Sequence, residues 1–213
     1  MDIVASVKVE GEGAETGSTN ESGFIIDTDT YGFDFPYYVT GIIIPKGTTT
    51  IRDNNLSSYP YLQTITIPES VTSIGSYAFQ NCSMLKSITI PESVTSISEF
   101  AFNGCSSLTS ITIPEGVTSI VGSTFSGCSS LTSITIPESV TYIGGSAFYC
   151  CSKLTSITIP ESVTSINGWA FVGCSKLTTI NYTGTEEQWN AISKGTDWNY
   201  ETSLNVIYNY KPE

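Results

Sequence analysis

Cys82, Cys105, Cys128, Cys151 and Cys174 stand 23 residues apart, and a thiol in such a series could act as a nucleophile, a metal ligand or half of a disulfide. Each use makes a further demand. A nucleophilic cysteine needs a base to take its proton, and the chain has no histidine, which removes the usual Cys–His and Ser–His–Asp schemes. Zinc needs four convergent thiolates, which a one-sided column does not supply. Disulfides need Cα separations of roughly 4.4 to 6.8 Å and side chains turned toward each other. Stacked coils roughly 5 Å apart meet the distance, but parallel side chains aimed into one core miss the orientation. The series therefore reads as buried free thiols acting as small apolar fillers, with Cys150, outside the column, as the more exposed thiol.

Glu69, Glu92, Glu115, Glu138 and Glu161 form a second column at the same step. Acid–base catalysis needs two carboxylates in different environments, and calcium needs six to eight converging oxygens. Identical repeated glutamates offer neither, so they read as solvated edge charges that discourage aggregation, with a strip for cations or a basic partner as the alternative. No catalytic, metal or cofactor-binding constellation is expected. Twenty Asp and Glu against eight Lys and Arg leave a net charge of −12, which repels a phosphate backbone and argues against nucleic acid and anionic membranes. No stretch reaches the ~18 apolar residues of a membrane span, and Met1-Asp2-Ile3-Val4 has no signal-like n- or h-region. The expectation is a soluble monomer without membrane insertion, either cytosolic or the mature part of an exported protein.

The elements that hold these columns follow from the repeat. Ile65-Thr66-Ile67-Pro68 returns at Ile88, Ile111, Ile134 and Ile157; Leu62 returns at Leu85, Leu108, Leu131, Leu154 and Leu177; Phe79 returns at Phe102, Phe125, Phe148 and Phe171. Ile42-Ile43-Ile44-Pro45 sits one step earlier as a degenerate first copy. A 23-residue unit cannot enclose a core alone, so each coil must bury its Leu, Ile, Val and Phe against the next. The fold class expected is a mostly β, α/β-type solenoid, a right-handed leucine-rich coil. Its parallel sheet lies on one side, short helical turns lie opposite around Ala78-Phe79, and caps cover both ends.

In the sheet, Ile65 and Ile67 point inward, and Thr64, Thr66 and Pro68 outward. Val71 to Ile74 reads as a second short extended segment. Residues 1–41 are expected as the N-terminal cap, with a loop at 10–23 and edge strands at 24–26 and 37–39. Six repeats follow over 42–179, and 180–213 form the C-terminal cap. There, Thr185 and Gln188 make a capping-box pattern ahead of a short helix carrying Trp189 and Ile192 on one face, and residues 204–208 supply a closing strand.

The consensus C-S-x-L-x-S-I-T-I-P-E-S-V-T-S-I-G-x-x-A-F over residues 42–180 resembles the BspA-like leucine-rich repeat proteins, and Thr185 to Ile192 resembles the E-E-x-W-N-A-I end segment of bacterial members. The resemblance implies a secreted or surface-anchored protein of host-associated bacteria or certain protists, linked to adhesion to host matrix proteins or other cells, with no catalytic residues. One departure from the wider leucine-rich pattern is that Ser70, Ser93, Gly116, Ser139 and Ser162 stand where an Asn or Cys usually does, so the familiar Asn ladder is absent.

Candidate contact residues divide between two surfaces. The outward sheet face carries Thr66, Thr89, Thr112, Thr135 and Thr158, a uniform row suited to broad adhesion or, as a minor alternative, to a periodic surface such as ice. Chemical variety lies elsewhere: Tyr77, Phe100, Ser123, Ser146 and Trp169 share one position, and Gln80, Asn103, Ser126, Tyr149 and Val172 another. Tyr77, Phe100, Trp169, Tyr149 and Tyr142 are therefore the candidate anchors for a protein or cell-surface partner. Covering the Phe column is their plain structural alternative, and a ligand-free spacer or display scaffold is the alternative for the whole chain.

Overall fold

The computed structural model describes residues 40–44, 46–200 and 204–211; the loop and edge strands expected at 10–39 lie outside the described residues. In chain order the strands are β1 (Gly41–Ile43), β2 (Thr50–Ile51), β3 (Thr64–Thr66), β4 (Ser73–Ile74), β5 (Ser87–Ile88), β6 (Ser96–Ile97), β7 (Ser110–Ile111) and β8 (Ser119–Ile120). They continue as β9 (Ser133–Thr135), β10 (Tyr142–Ile143), β11 (Ser156–Ile159), β12 (Ser165–Ile166), β13 (Thr179–Tyr182), β14 (Ser193–Lys194) and β15 (Asn205–Ile207), with one helix, α1 (Glu186–Ala191), before β14. The result is a mostly β solenoid of about seven turns.

Odd and even strands line two sides of the coil. On the first, β1 pairs with β3, β5 with β7, and β9, β11, β13 and β15 pair in sequence; on the second, β2, β4 and β6 form one set, and β8, β10, β12 and β14 another. All pairs are parallel, and the register is the repeat itself: Ile42 faces Ile65, Ile88 faces Ile111 and Ile157 faces Ile180. The second extended segment is thus a second ladder, where the sequence suggested a sheet on one side only. The prolines also differ from expectation. Pro91, Pro114, Pro137 and Pro160 are buried, and each prolyl carbonyl accepts a hydrogen bond from the valine three residues on, as Pro91 does from Val94 at 3.0 Å. A residue that opens a tight turn is folded under it.

The third side replaces the expected helical turns with non-helical ones, for a reason visible in the donors. Ala78, Gln80 and Cys82 donate N–H groups to Gly75, Tyr77 and Phe79 at 3.3, 3.1 and 3.2 Å, while the alternating Tyr77, Phe79 and Asn81 donate to Glu99, Ala101 and Asn103 of the next coil at 3.1, 2.8 and 2.8 Å. A helix would aim all of its donors along its own axis, bonding internally those past the first turn, so none would point sideways to the neighbouring coil. The alternation is made by left-handed residues, Tyr77 at φ 58° and Asn81 at φ 59°. The Asn81 position recurs as Gly104, Gly127, Cys150 and Gly173, where glycine removes the Cβ clash. The Tyr77 position recurs as Phe100, Ser123, Ser146 and Trp169 with φ between 55° and 61°, a conformation costing roughly 1–2 kcal/mol per residue.

Side chains complete the stacking. Phe79, Phe102, Phe125, Phe148 and Phe171 are fully buried and lie nearly parallel, with centroids 5.2, 5.6, 5.6 and 5.5 Å apart; each contributes about 1.5–3 kcal/mol by burial. Ser70, Ser93, Ser139 and Ser162 donate hydroxyls to the carbonyls of Thr48, Val71, Val117 and Val140 at 2.6–2.7 Å. Serine therefore fills the ladder position left without Asn. Beyond Phe171 the column turns edge-on to Trp198 at 6.0 Å, which meets Trp189 at 5.9 Å. Helix α1 carries the expected capping box: the Gln188 N–H donates to Thr185 Oγ1 at 3.2 Å, and the Thr185 N–H donates to Gln188 Oε1 at 2.7 Å. Lys194 Nζ donates to the Trp189 and Ile192 carbonyls at the other end.

Gly116 is the one member of the serine series without a hydroxyl; a Cβ there would stand 3.1 Å from Thr95 Cγ2 and 3.2 Å from the Val94 carbonyl, so the Thr95 side chain must yield slightly to admit it. Gly116→Ser is expected to extend the ladder and raise stability by about 1 kcal/mol, measured as the midpoint of urea unfolding. An unchanged or lowered midpoint counts against a stabilising role for the serine column.

Candidate functional site

Three consecutive turns on the third side form the most varied surface of the described residues. In each, a left-handed residue opens the turn and its carbonyl accepts the N–H three residues on: Ser146 from Tyr149 at 3.0 Å, Trp169 from Val172 at 3.3 Å and Asp197 from Tyr200 at 3.3 Å. The opening residues have φ of 56°, 61° and 54°. The coil order therefore sets Tyr149, Val172 and Tyr200 in one row and Ser146, Trp169 and Asp197 in the next. Tyr149, Trp169, Val172, Asp197 and Tyr200 together line a shallow pocket of about 280 Å³. Trp169 is 56% exposed and Tyr200 58%, far more than packing requires.

This pocket joins two of the sequence candidates, Tyr149 and Trp169, and leaves three apart. Tyr77 and Phe100 stack on each other at 4.7 Å and 6°, both half-buried, two serine-bearing coils away from Trp169. Their rings therefore stack on one another, and neither belongs to the pocket. Tyr142 lies on β10, where its hydroxyl accepts from Asn167 Nδ2 at 2.9 Å. Among the threonines, Thr66, Thr89, Thr112 and Thr135 are exposed, but Thr158 is not, with 8% of its surface open. It sits in register between Thr135 and the bulkier Asn181 inside the four-stranded part of the ladder, so the row of hydroxyls stops at Thr135.

Asp197 and Tyr200 are absent from the sequence candidates because their turn is out of phase. Insertion of α1 lengthens the step from 23 to 28: Ser165 pairs with Ser193, and the Phe171 N–H reaches the Trp198 carbonyl, where Phe148 reaches Ala170. Gly195-Thr196-Asp197-Trp198 then occupies the place of Asn167-Gly168-Trp169-Ala170. The aromatic after a small residue and the glycine before it were the available signal.

The cysteine column has a role beyond filling. Cys82, Cys105, Cys128, Cys151 and Cys174 donate S–H groups to the carbonyls of Leu56, Phe79, Phe102, Phe125 and Phe148 at 3.0–3.2 Å. Burial pushes the Cys82 and Cys128 thiols up to about 12 from 9.0 and holds Cys105 well above its ordinary value; contact with the Cys174 thiol and then burial do the same for Cys151. Cys150 is only partly buried. The glutamate column is solvated but not idle at its end, where Glu161 Oε2 accepts from Gln188 Nε2 at 3.1 Å and Glu138 Oε1 from Thr183 Oγ1 at 3.5 Å. Among the described residues, no three His, Cys, Asp or Glu side chains converge as metal ligands, and no helix is long and apolar enough to cross a membrane.

Comparison with known proteins places this geometry. A family model described as a BspA type leucine rich repeat region of six copies matches residues 26–128 and again 95–206. Of solved structures, the chain is similar to a leucine rich cell surface protein from Faecalibacterium prausnitzii A2-165, with 29% identity and a TM-score of 0.52 over 73% of this chain. It spans 62% of that protein's length. It is also similar to the leucine rich repeat protein of T. pallidum, with 22% identity, a TM-score of 0.65 and coverage of 85% of this chain and 99% of that one, a likeness of fold. No match was found among curated proteins.

Two outcomes follow for the thiols. An aromatic disulfide reagent at neutral pH should titrate Cys150 alone in the folded protein and all six cysteines in denaturant; rapid native labelling of several would contradict the buried ladder. Below pH 9 both states keep Cys82 and Cys128 protonated, whereas above it the unfolded chain loses thiol protons that these two sites in the folded chain hold up to about pH 12. Stability should therefore fall from pH 9 upward, by roughly 1 kcal/mol per thiol per pH unit, as followed by urea midpoints.

Proposed function

The chain belongs to the BspA-type leucine-rich repeat family, and on that premise we propose that it is a non-catalytic adhesion domain of a secreted or surface protein, binding host matrix proteins or other cells. Leucine-rich repeat proteins generally serve as scaffolds for protein contacts, and one similar structure is a cell surface protein. In this reading the coil is right-handed, the hand that parallel crossovers almost always take. Residues 1–41 and 180–213 close its two ends around the repeats of 42–179, and the protein acts as a monomer outside the cell. The observation that carries the contact surface is the exposed aromatic pocket: Trp169, held out by left-handed backbone, and the exposed rings of Tyr149 and Tyr200 present the kind of anchor on which binding energy concentrates.

A spacer that displays another domain is the second reading, favoured by the uniformity of the Ser and Thr surfaces. Binding of the purified protein to immobilised matrix proteins and to bacterial cells separates the two. Trp169→Ala combined with Tyr149→Ala should weaken adhesion at least about tenfold, while Lys at Thr66, Thr89 and Thr112 should weaken it less. The reverse ranking would move the contact to the threonine row, and indifference to both sets would leave the chain a spacer. Hydrolase or transferase activity in the pure protein would end the non-catalytic reading.

A further inference from the structure

We propose that the pocket formed by Tyr149, Trp169, Val172, Asp197 and Tyr200 binds a quaternary ammonium group, as carried by a choline headgroup or a trimethylated lysine. The inference rests on the reading of this edge as the contact surface and adds the chemistry that the edge accepts. Val172 is the small residue of its row, with Tyr149 one coil before it and Tyr200 one coil after. The spacing of coils is given by the phenylalanine stack at 5.2–5.6 Å. The last step, from Phe171 to Trp198, measures 6.0 Å, so the row positions of Tyr149 and Tyr200 stand one coil to either side of Val172, a spacing that suits the roughly 6 Å over which an aromatic face attracts a positive charge. Trp169, the strongest partner of the three for such a contact, opens the same turn that ends at Val172.

Charge points the same way. Asp197 supplies a carboxylate to the pocket wall, no lysine or arginine lines it, and the chain as a whole carries −12. An apolar pocket with one carboxylate suits a quaternary ion better than a primary one, because methyl groups bury against rings and leave no N–H donors to satisfy. A primary ammonium would surrender strongly bound water for a single acceptor. The three turns also hold their lining residues by coil-to-coil hydrogen bonds, as where the Phe171 N–H meets the Trp198 carbonyl at 2.8 Å, so the rings are displayed on a stacked backbone.

The test compares choline with 3,3-dimethyl-1-butanol, its uncharged carbon isostere, by proton NMR titration on the intact protein. Choline N-methyl protons should move upfield through the ring currents, with a dissociation constant in the roughly millimolar range, and the isostere should bind several-fold more weakly. A trimethyllysine peptide run beside choline distinguishes the two natural carriers. Tyr200→Ala and Trp169→Ala should each weaken choline about three- to fivefold. Asp197→Asn, which suits a left-handed position, should weaken choline and leave the isostere unaffected. Equal binding of choline and isostere, an unchanged affinity in D197N, or no shift at about 20 mM choline would overturn the assignment. Each of those results leaves the matrix-adhesion test free to succeed, and failure of that test with an intact choline shift would leave the cage standing.

Discussion

Every other feature of this protein depends on the registration of one coil on the next. A single 23-residue turn has no inside; Phe125 is buried only because Phe102 and Phe148 lie 5.6 Å to either side. Registration is enforced on all sides at once, by parallel strand ladders on two sides, by alternating turn donors on the third, and by serine and cysteine side chains that donate to carbonyls of the preceding coil. Because the same atoms repeat in each copy, a shift of one residue in any coil would break every ladder together and turn apolar columns into polar ones. This is why the side chains facing a neighbouring coil are nearly invariant along the chain, and why variation is confined to residues that project away from it.

The left-handed positions follow from that constraint. Half of the donors on the turn side must point along the solenoid axis to reach the next coil, and a backbone with φ near 60° is what turns them. Where the residue is Gly104, Gly127 or Gly173 the geometry is free of the Cβ clash; where it is Tyr77, Phe100 or Trp169 the strain is carried by the ladder. The same geometry projects these side chains away from the core, so the positions that cost the most backbone energy are those that display the large rings. In Tyr77 and Phe100 the rings stack on each other; in Trp169 the neighbouring Ser146 and Asp197 offer no ring to stack on, and the indole stays exposed.

Chemical variety therefore concentrates where the repeat changes. The threonine row is uniform and loses Thr158 to burial, while the last turns bring together residues from three coils and one insertion. Helix α1 matters here less for its own surface than for the five residues it adds to the step, which let Asp197 and Tyr200 take positions that in earlier coils belong to Trp169 and Val172.

The repeat length, the apolar columns, the parallel pairing and the short capped helix were legible in the sequence, because each is a matter of period and residue type: Leu, Ile and Phe at a fixed step can be buried in only one way, and Thr185 with Gln188 satisfies helix donors locally. The turn side was not legible. Ala78-Phe79 has the composition of a helical turn, and only the demand of the next coil for backbone donors makes it something else. The thiols looked like fillers because their acceptors, carbonyls 26 residues earlier, are set by stacking and not by neighbours in the chain. Tyr200 and Asp197 were hidden for the same reason. A sequence read at a step of 23 determines which residues stack while that step lasts; where it lengthens to 28, only the folded coil decides which side chains meet, since hydrogen bonds between coils, and not spacing along the chain, set the register there.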